Sequence, residues 1–195
     1  MLNRLEPSAG LGIDISSKMI ELARRKYPCL QFRLADAESL DICEKYDYIV
    51  ISDLIGELCD VWQVFRNLKR ITHSGSRVII TYHNYLWEPI LKFAERLGLK
   101  TPQMNQNWLS LQDIRELLDL NGYEVVKEGY RLLFPKYVPL LSAFINNFIA
   151  KLPFIKKLSL VIYVVAREKE KESLSEHREY SCSIIIPCRN EAGNI

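Results

Sequence analysis

The sequence has few of the residues that build metal centres or disulfide frameworks. Its 195 residues include five cysteines and three histidines. No two cysteines form a C-x-x-C pair, the odd count closes no disulfide framework, and the histidines are scattered. These absences predict reduced thiols, no metal site and a cytoplasmic location.

Long apolar runs and an excess of one charge are lacking too. The longest apolar stretches, residues 138–150 and 158–166, fall short of the ~20 residues that span a bilayer. No basic stretch followed by an apolar run opens the sequence, so no signal peptide is predicted. The formal net charge is +2 with both signs mixed, which gives no argument for a nucleic-acid partner.

What remains is an ordinary globular composition, 48% hydrophobic and 26% charged. Apolar runs typical of strands alternate with amphipathic patterns typical of helices, which predicts an α/β fold with a mostly parallel sheet and helices on both faces. The predicted strands are 11–15, 30–34, 46–52, 77–83, 123–133 and 158–167. The predicted helices begin near Ser16, Asp60 (with Gln63 as a capping-box partner), Trp87 and Ser110 (with Asp113).

Polar side chains follow four consecutive predicted strands. In open α/β sheets, ligands bind beyond the carboxyl ends of the strands. A carboxylate after the second strand of such a sheet can accept hydrogen bonds from both ribose hydroxyls of an adenosine ligand, because it has two acceptor oxygens. Taken singly, each residue equally fits a turn, a cap or a strand end, so the prediction depends on their order along the chain. The polar groups are Asp14, then Asp36 and Glu38, then Asp53, then His83 and Asn84.

Four segments taken together resemble class I, Rossmann-like S-adenosylmethionine-dependent methyltransferases. Residues 11–23 (LGIDISSKMIELA) are similar to the family's second strand and next helix, which often read G-x-D-x-S-x-x-M-[IL]-x-x-A. Residues 34–40 (LADAESL) resemble the loop that contacts adenine. Residues 46–54 and 62–80 resemble the fourth strand, the following helix and the fifth strand. The similarity runs over residues 1–167 and implies a final antiparallel strand.

The resemblance also implies roles for single residues. Asp14 would bind the ribose hydroxyls, Asp36 the adenine amino group, and Asp53 would lie near the methionine part of the cofactor. Tyr82 and His83, with Asn84, would face the acceptor, and the first two are the candidates for a general base if the nucleophile is a hydroxyl. The full set of cofactor-binding residues predicted in this way is Asp14, Ile15, Asp36, Ala37, Glu38 and Asp53.

In this family the first strand ends in a glycine-rich loop, G-x-G-x-G, and the present sequence begins after that point. Residues 1–167 are therefore expected to be a partial methyltransferase domain whose sheet lacks its first strand. Two flanking strands would then expose unpaired backbone groups. Such a chain is expected to bind the cofactor poorly and to be impaired or inactive.

The end of the sequence carries a second resemblance. Residues 168–179 form a charged linker, and residues 180–195 (YSCSIIIPCRNEAGNI) are similar to the opening strand and loop of family 2 glycosyltransferases. A fusion of the two enzymes implies a nucleotide-sugar for the downstream domain and favours a glycan or lipid-linked methyl acceptor. The apolar segment 134–157 leaves three options open: covering an acceptor, peripheral contact with a membrane, or packing on the sheet.

Two other functions fit parts of the same pattern. A non-catalytic domain that scaffolds the glycosyltransferase would need no glycine-rich loop. A nicotinamide-dependent oxidoreductase would also place an acid after its second strand, but it needs G-x-G-x-x-G before that strand, which the chain does not show.

Overall fold

The computed structural model describes residues 2–99, 107–133, 152 and 155–170. Short 3-10 helices cover Ile55–Glu57, Tyr85–Trp87 and Ile155–Leu158. The α-helices are α1 (Leu2–Leu5), α2 (Ser17–Lys26), α3 (Val61–Ile71), α4 (Glu88–Arg96) and α5 (Leu111–Leu120). The strands are β1 (Leu11–Asp14), β2 (Gln31–Leu34), β3 (Tyr48–Ser52), β4 (Arg77–His83), β5 (Tyr123–Arg131) and β6 (Val161–Glu168).

Helix starts follow from local capping chemistry. The Ser16 hydroxyl accepts the Met19 N–H at the start of α2. At the start of α5, where the sequence predicts that a helix begins, Ser110 and Asp113 exchange hydrogen bonds in a reciprocal capping box. These polar caps satisfy backbone N–H groups that the first turn of a helix leaves unpaired.

The start of α3 differs from the prediction in one detail. Asp60 caps the helix by accepting the Gln63 N–H at 2.9 Å. The Gln63 side chain does not return to the cap; its amide donates to Asn67 Oδ1 at 3.2 Å. The predicted capping box is therefore only half formed, because the side chain of Asn67 one turn further along is a competing partner.

The described strands form two hydrogen-bonded groups. β1 and β2 pair in parallel, and the remaining strands lie in the order β3-β4-β6-β5. β3 and β4 are parallel, whereas β6 runs antiparallel to both of its neighbours. The predicted α/β fold with a final antiparallel strand is thus confirmed. Within the described ranges no strand pairs with the second edge of β1 or of β3.

The core lies on one face of the four-stranded group. Val78, Ile80 and Tyr82 alternate along β4 as buried residues, and they pair in register with buried residues of β6. Phe65 of α3 and Ile114 of α5 pack into the same cluster and are 0% exposed. This burial is the main source of stability, because apolar area removed from water drives folding. A helical layer on the opposite face stays a prediction.

The last described strand ends beside α5. β6 continues through Glu168, and the next residue, Lys169, donates its N–H to the Gly122 carbonyl and its ammonium to Asp119. The first residues of the predicted linker 168–179 are therefore part of the folded unit. The predicted segments from residue 171 onward, including 180–195, lie outside the described residues, as does most of 134–157.

A buried polar contact closes the core beneath β5. Thr72 Oγ1 lies 3.0 Å from Tyr123 Oη and also contacts a carboxylate oxygen of Glu168. Tyr123 is 1% exposed, and burial raises its pKa to about 12, a shift that the Thr72 hydrogen bond opposes and Glu168 adds to. The phenol is thus held in its neutral form.

We expect this contact to weaken at high pH. The folded-state pKa of Tyr123 lies above its unfolded value of about 10, so its stabilising effect is complete below pH 10 and is lost as the pH rises toward 12. Between those values the wild type should lose about 2 kcal/mol more unfolding free energy than Tyr123→Phe. Urea titrations of both proteins at several pH values measure the difference, and parallel curves would contradict the assignment.

Candidate functional site

Two acids lie at neighbouring strand ends in the parallel pair. Asp14 ends β1 in register with Leu34 of β2, and Asp36 follows two residues later. The Ser16 N–H donates to Asp14 Oδ1 at 2.8 Å, and the Glu38 N–H donates to Asp36 Oδ1 at 2.9 Å. Each carboxylate is therefore oriented by one backbone hydrogen bond, and within the described ranges its second oxygen accepts no hydrogen bond.

Close packing between β1 and β2 explains why a glycine, Gly12, lies two residues before Asp14. A Cβ atom on Gly12 would lie 2.6 Å from Cδ1 of Phe32, nearer than real Cβ contacts allow. Gly12 thus lets the Phe32 ring lie directly against β1. Ile15, which was predicted to bind the cofactor together with Asp14, is 73% exposed.

The loop after β2 is tied to the second group of strands. Glu38 Oε1 accepts the Cys59 N–H at 2.6 Å, and the buried Asn67 amide donates to the Glu38 carbonyl at 2.8 Å and the Ala37 carbonyl at 3.4 Å. These contacts hold Asp36 near the segment that follows β3. The carboxylate of Glu38 therefore has a bridging role in the fold beside the ligand role predicted for it.

Asp53 follows β3 in an unusual backbone conformation. Its φ is 53°, in the left-handed region where aspartate is one of the few tolerated side-chain residues. The Asp53 N–H donates to the Thr81 carbonyl at 2.8 Å, which extends the β3–β4 ladder and fixes the turn. The Ser52 hydroxyl lies 3.4 Å from Asp53 Oδ2. The turn thus places the carboxylate at the carboxyl end of the sheet.

His83 lies beside this carboxylate at the end of β4. Its Nδ1 is 3.7 Å from Asp53 Oδ1, and the two side chains are 34% and 53% exposed. The distance is too long for a hydrogen bond but allows an ion pair when the imidazole is protonated. The structure therefore brings together two residues that are thirty positions apart in sequence and were predicted separately.

A cleft opens at this end of the sheet. One wall is formed by residues 107–108, where the Asn107 N–H donates to the Gly56 carbonyl at 2.7 Å and its amide donates to the Leu58 carbonyl at 2.6 Å. These two bonds fix the wall to the turn after β3. The residues that line the cleft are Asp53, Gly56, Glu57, Tyr82, His83, Asn107 and Trp108.

Tyr82 is one of the residues that line this cleft, and its hydroxyl is buried. The residue is 4% exposed, and burial raises the pKa of its phenol well above the usual range, with a further contribution from Tyr130. The hydroxyl is therefore protonated at neutral pH and can donate a hydrogen bond. The base roles predicted for Tyr82 and His83 both stay predictions.

Asn84 has a structural role rather than the predicted contact with an acceptor. It is 1% exposed, and its amide donates to the carbonyls of Lys157 and Ser159 at 2.8 Å each. Its Oδ1 accepts the Leu86 N–H at 3.2 Å. With the side chain committed in this way, Asn84 connects β4 to the segment that enters β6.

Three residues of the site were missed from the sequence. The sequence could have pointed to Asn67, since it is a polar residue within one helical turn of the apolar stripe of α3. No sequence pattern pointed to Asn107 and Trp108, because they lie in a loop. This loop is held at the cleft by contacts with the distant turn after β3.

Metal-binding clusters and membrane-spanning helices are both absent from the described residues. Among residues 2–99, 107–133, 152 and 155–170, no group of three or more histidine, cysteine or acidic side chains could hold a metal ion. No helix in the same ranges is long and apolar enough to cross a membrane.

Comparison with protein families gives one match that covers most of the chain. A family model described as "Methyltransferase domain" matches residues 2–130. A viral protein named "Putative methyltransferase 235L", from Invertebrate iridescent virus 6, is 30% identical over 70 residues. That match covers 36% of this chain and 26% of the viral protein, so the chain spans about a quarter of this relative.

Solved structures share the fold at low sequence identity. An S-adenosylmethionine-dependent methyltransferase from Mesorhizobium loti has a TM-score of 0.63 at 15% identity and covers 85% of this chain and 83% of its own. Magnesium protoporphyrin IX methyltransferase from Synechocystis PCC 6803, solved with bound SAH, has a TM-score of 0.56 at 18% identity and covers 85% of this chain and 66% of its own. At such identities the likeness shows a common fold.

Proposed function

The chain belongs to the methyltransferase-domain family, and on that premise we propose that it transfers a methyl group from S-adenosylmethionine to an acceptor bound in the cleft. The observation that carries the proposal is the placement of Asp14, Asp36 and Asp53 at carboxyl ends of strands or just beyond them, within the matched residues 2–130. Ligands of open α/β sheets bind at this edge.

The donor groups of this edge fit an adenosine-containing cofactor. Asp14 and Asp36 each retain a free carboxylate oxygen after their backbone hydrogen bonds, which suits ribose hydroxyls and an adenine amino group, respectively. Ile15, Ala37 and Glu38 would complete this part of the site. Asp53 would lie on the side of the sulfonium, where a carboxylate favours a positive charge. When bound, the cofactor supplies an electrophilic methyl group.

The acceptor side would be formed by the cleft. His83 is the proposed base for an acceptor hydroxyl, and the Asp53 carboxylate lies 3.7 Å from its Nδ1. The main contribution of the protein would be alignment of the acceptor with the methyl carbon. The candidate acceptors are small molecules, glycans and lipid-linked compounds.

Binding of S-adenosylhomocysteine tests this function most directly. We expect calorimetric titration to show one site per chain, and we expect NAD⁺, titrated in parallel, not to bind. Where the coding sequence continues upstream, a longer chain is titrated in the same way. If both chains are folded and neither binds, the scaffold function is favoured; binding of NAD⁺ alone would favour the oxidoreductase.

The proposed fusion concerns mainly residues outside the described ranges. Residues 180–195 would open a family 2 glycosyltransferase domain that takes a nucleotide-sugar, with 168–179 as the connection. A common substrate of the two domains would then be a glycan or a lipid-linked glycan, and residues 134–157 would be the part of the methyltransferase to approach a membrane. Support for this proposal comes from the sequence pattern alone.

A further inference from the structure

The side-chain amide of Asn67 is a buried polar group on α3. The residue is 7% exposed and lies on a helix that packs against the four-stranded group. Its Nδ2 donates to the Glu38 carbonyl at 2.8 Å and to the Ala37 carbonyl at 3.4 Å, while its Oδ1 accepts from the Gln63 amide at 3.2 Å. Because both ends of the amide are paired, its orientation is fixed.

Glu38 connects this amide to the carboxylate of Asp36. The Glu38 N–H donates to Asp36 Oδ1 at 2.9 Å, and the carbonyl of the same residue accepts from Asn67. A displacement of the Glu38 backbone would therefore move the donor that orients the Asp36 carboxylate. Asn67 thus acts on Asp36 through the backbone of a single residue, from the side of the four-stranded group.

A second contact between this loop and the four-stranded group is more exposed. The Cys59 N–H donates to Glu38 Oε1 at 2.6 Å at the surface, where water competes for both atoms. A hydrogen bond is stronger where water is excluded, which favours the buried amide of Asn67. Removing that amide would also leave two carbonyls without this donor. Asn67 is therefore the stronger of these two restraints on the loop.

We propose that Asn67 is a positioning residue for recognition of the adenine base. It would fix the Asp36 carboxylate where that carboxylate accepts a hydrogen bond from the adenine amino group, and a misaligned carboxylate would accept it less well. The inference rests on the proposed function, which assigns Asp36 to the amino group. It adds that selectivity for this group depends on α3, a helix outside the parallel pair that carries Asp14.

Two ligands that differ only in the amino group separate this role from a general loss of structure. They are S-adenosylhomocysteine and its deamino analogue, in which a hydrogen atom replaces the adenine amino group. In calorimetric titrations the wild type should bind the first about tenfold more tightly, the size of one hydrogen bond to a charged group. Asp36→Ala should bind both ligands equally. In Asn67→Ala the preference should fall to about twofold, because Asp36 is present but no longer held in place.

Asn121→Ala is the matched control. Asn121 is also a buried asparagine, 3% exposed, and its amide donates to the Leu117 carbonyl at 2.8 Å on α5. This variant loses a buried amide in the same way, but far from Asp36 in sequence and on another helix, so it should keep the tenfold preference. If Asn67→Ala does not fold by circular dichroism, Asn67→Ser is titrated instead, and its shorter side chain should lower the preference as well.

The outcomes separate this inference from the proposed function. If Asp36→Ala removes the preference and Asn67→Ala weakens both ligands by the same factor, Asn67 has only a structural role and the inference is wrong. It is also wrong if the wild type shows no preference or if Asn121→Ala loses it. In each of these cases the methyltransferase proposal stands, since S-adenosylhomocysteine still binds. If S-adenosylhomocysteine does not bind the folded wild type, both proposals fail.

Discussion

Replacing Asp14 by alanine should weaken binding of S-adenosylhomocysteine about 100-fold, because a ribose hydroxyl bonded to a carboxylate contributes ~1.5–3 kcal/mol. Asp14 is suited to that contact: Ser16 donates to one of its oxygens at 2.8 Å, so the side chain is oriented before a ligand arrives. Preorganisation of this kind lowers the entropy cost of binding. Calorimetric titration of the variant and the wild type, in whichever chain length binds more tightly, measures the effect.

Two further variants show whether the carboxylate itself is responsible. Asp14→Asn keeps the size of the side chain and an acceptor for the Ser16 N–H. Its affinity for S-adenosylhomocysteine should therefore lie between that of the wild type and that of Asp14→Ala. Asp41→Ala removes an exposed acid from the loop before β3 and makes the same change in net charge. Equal losses in Asp14→Ala and Asp41→Ala would mean that long-range charge, and not the ribose contact, explains the result.

Truncation of Phe65 to alanine should lower the free energy of unfolding by about 3–5 kcal/mol. The ring is 0% exposed and lies in the cluster formed by α3, α5 and the buried face of the four-stranded group. Its removal loses the transfer free energy of the ring and leaves a cavity that the surrounding strands can fill only partly. Chemical denaturation followed by circular dichroism measures the loss.

Trp62 on the same helix provides the matched control. It is 38% exposed, so Trp62→Ala removes an even larger ring that water already reaches. We expect this variant to lose about 1 kcal/mol or less, as surface substitutions do. Similar losses for the two variants would show that the buried face of α3 has been assigned to the wrong residues.

The sequence was informative where the pattern is local. The strand Arg77–His83 was predicted to the residue, because the run RVIITYH directly follows a turn at residues 74–76. Asp14, Asp36 and Asp53 were singled out because each lies at the end of a predicted strand or within two residues of it. These features depend on neighbours within a few positions, and hydrophobic periodicity reports on that distance.

The roles of individual side chains were less accessible because they depend on distant contacts. Nothing near Asn84 in sequence shows that its amide bonds to Lys157 and Ser159. The same holds for Asn107, whose partners are some fifty positions away in the turn after β3. The sequence around Tyr82 likewise does not show the environment of its phenol, since the residues that raise its pKa lie on α5 and β5. Residue type suggested chemistry at these positions, but only the fold determines which groups are free to perform it.

The division of the strands into two groups has a thermodynamic consequence for the proposed cofactor site. Within β1, α2 and β2, Ile20 is the one residue classed as buried, whereas the large buried cluster belongs to the four-stranded group. Segments with few buried contacts open by local unfolding at a lower free energy than the whole domain. Among the described residues, Asp14 is therefore expected to lie on the part that opens most readily, whereas Asp36 lies in the loop that connects this part to the second group. A ligand held by both acids would close it, so that occupancy of the site and order in this segment rise together.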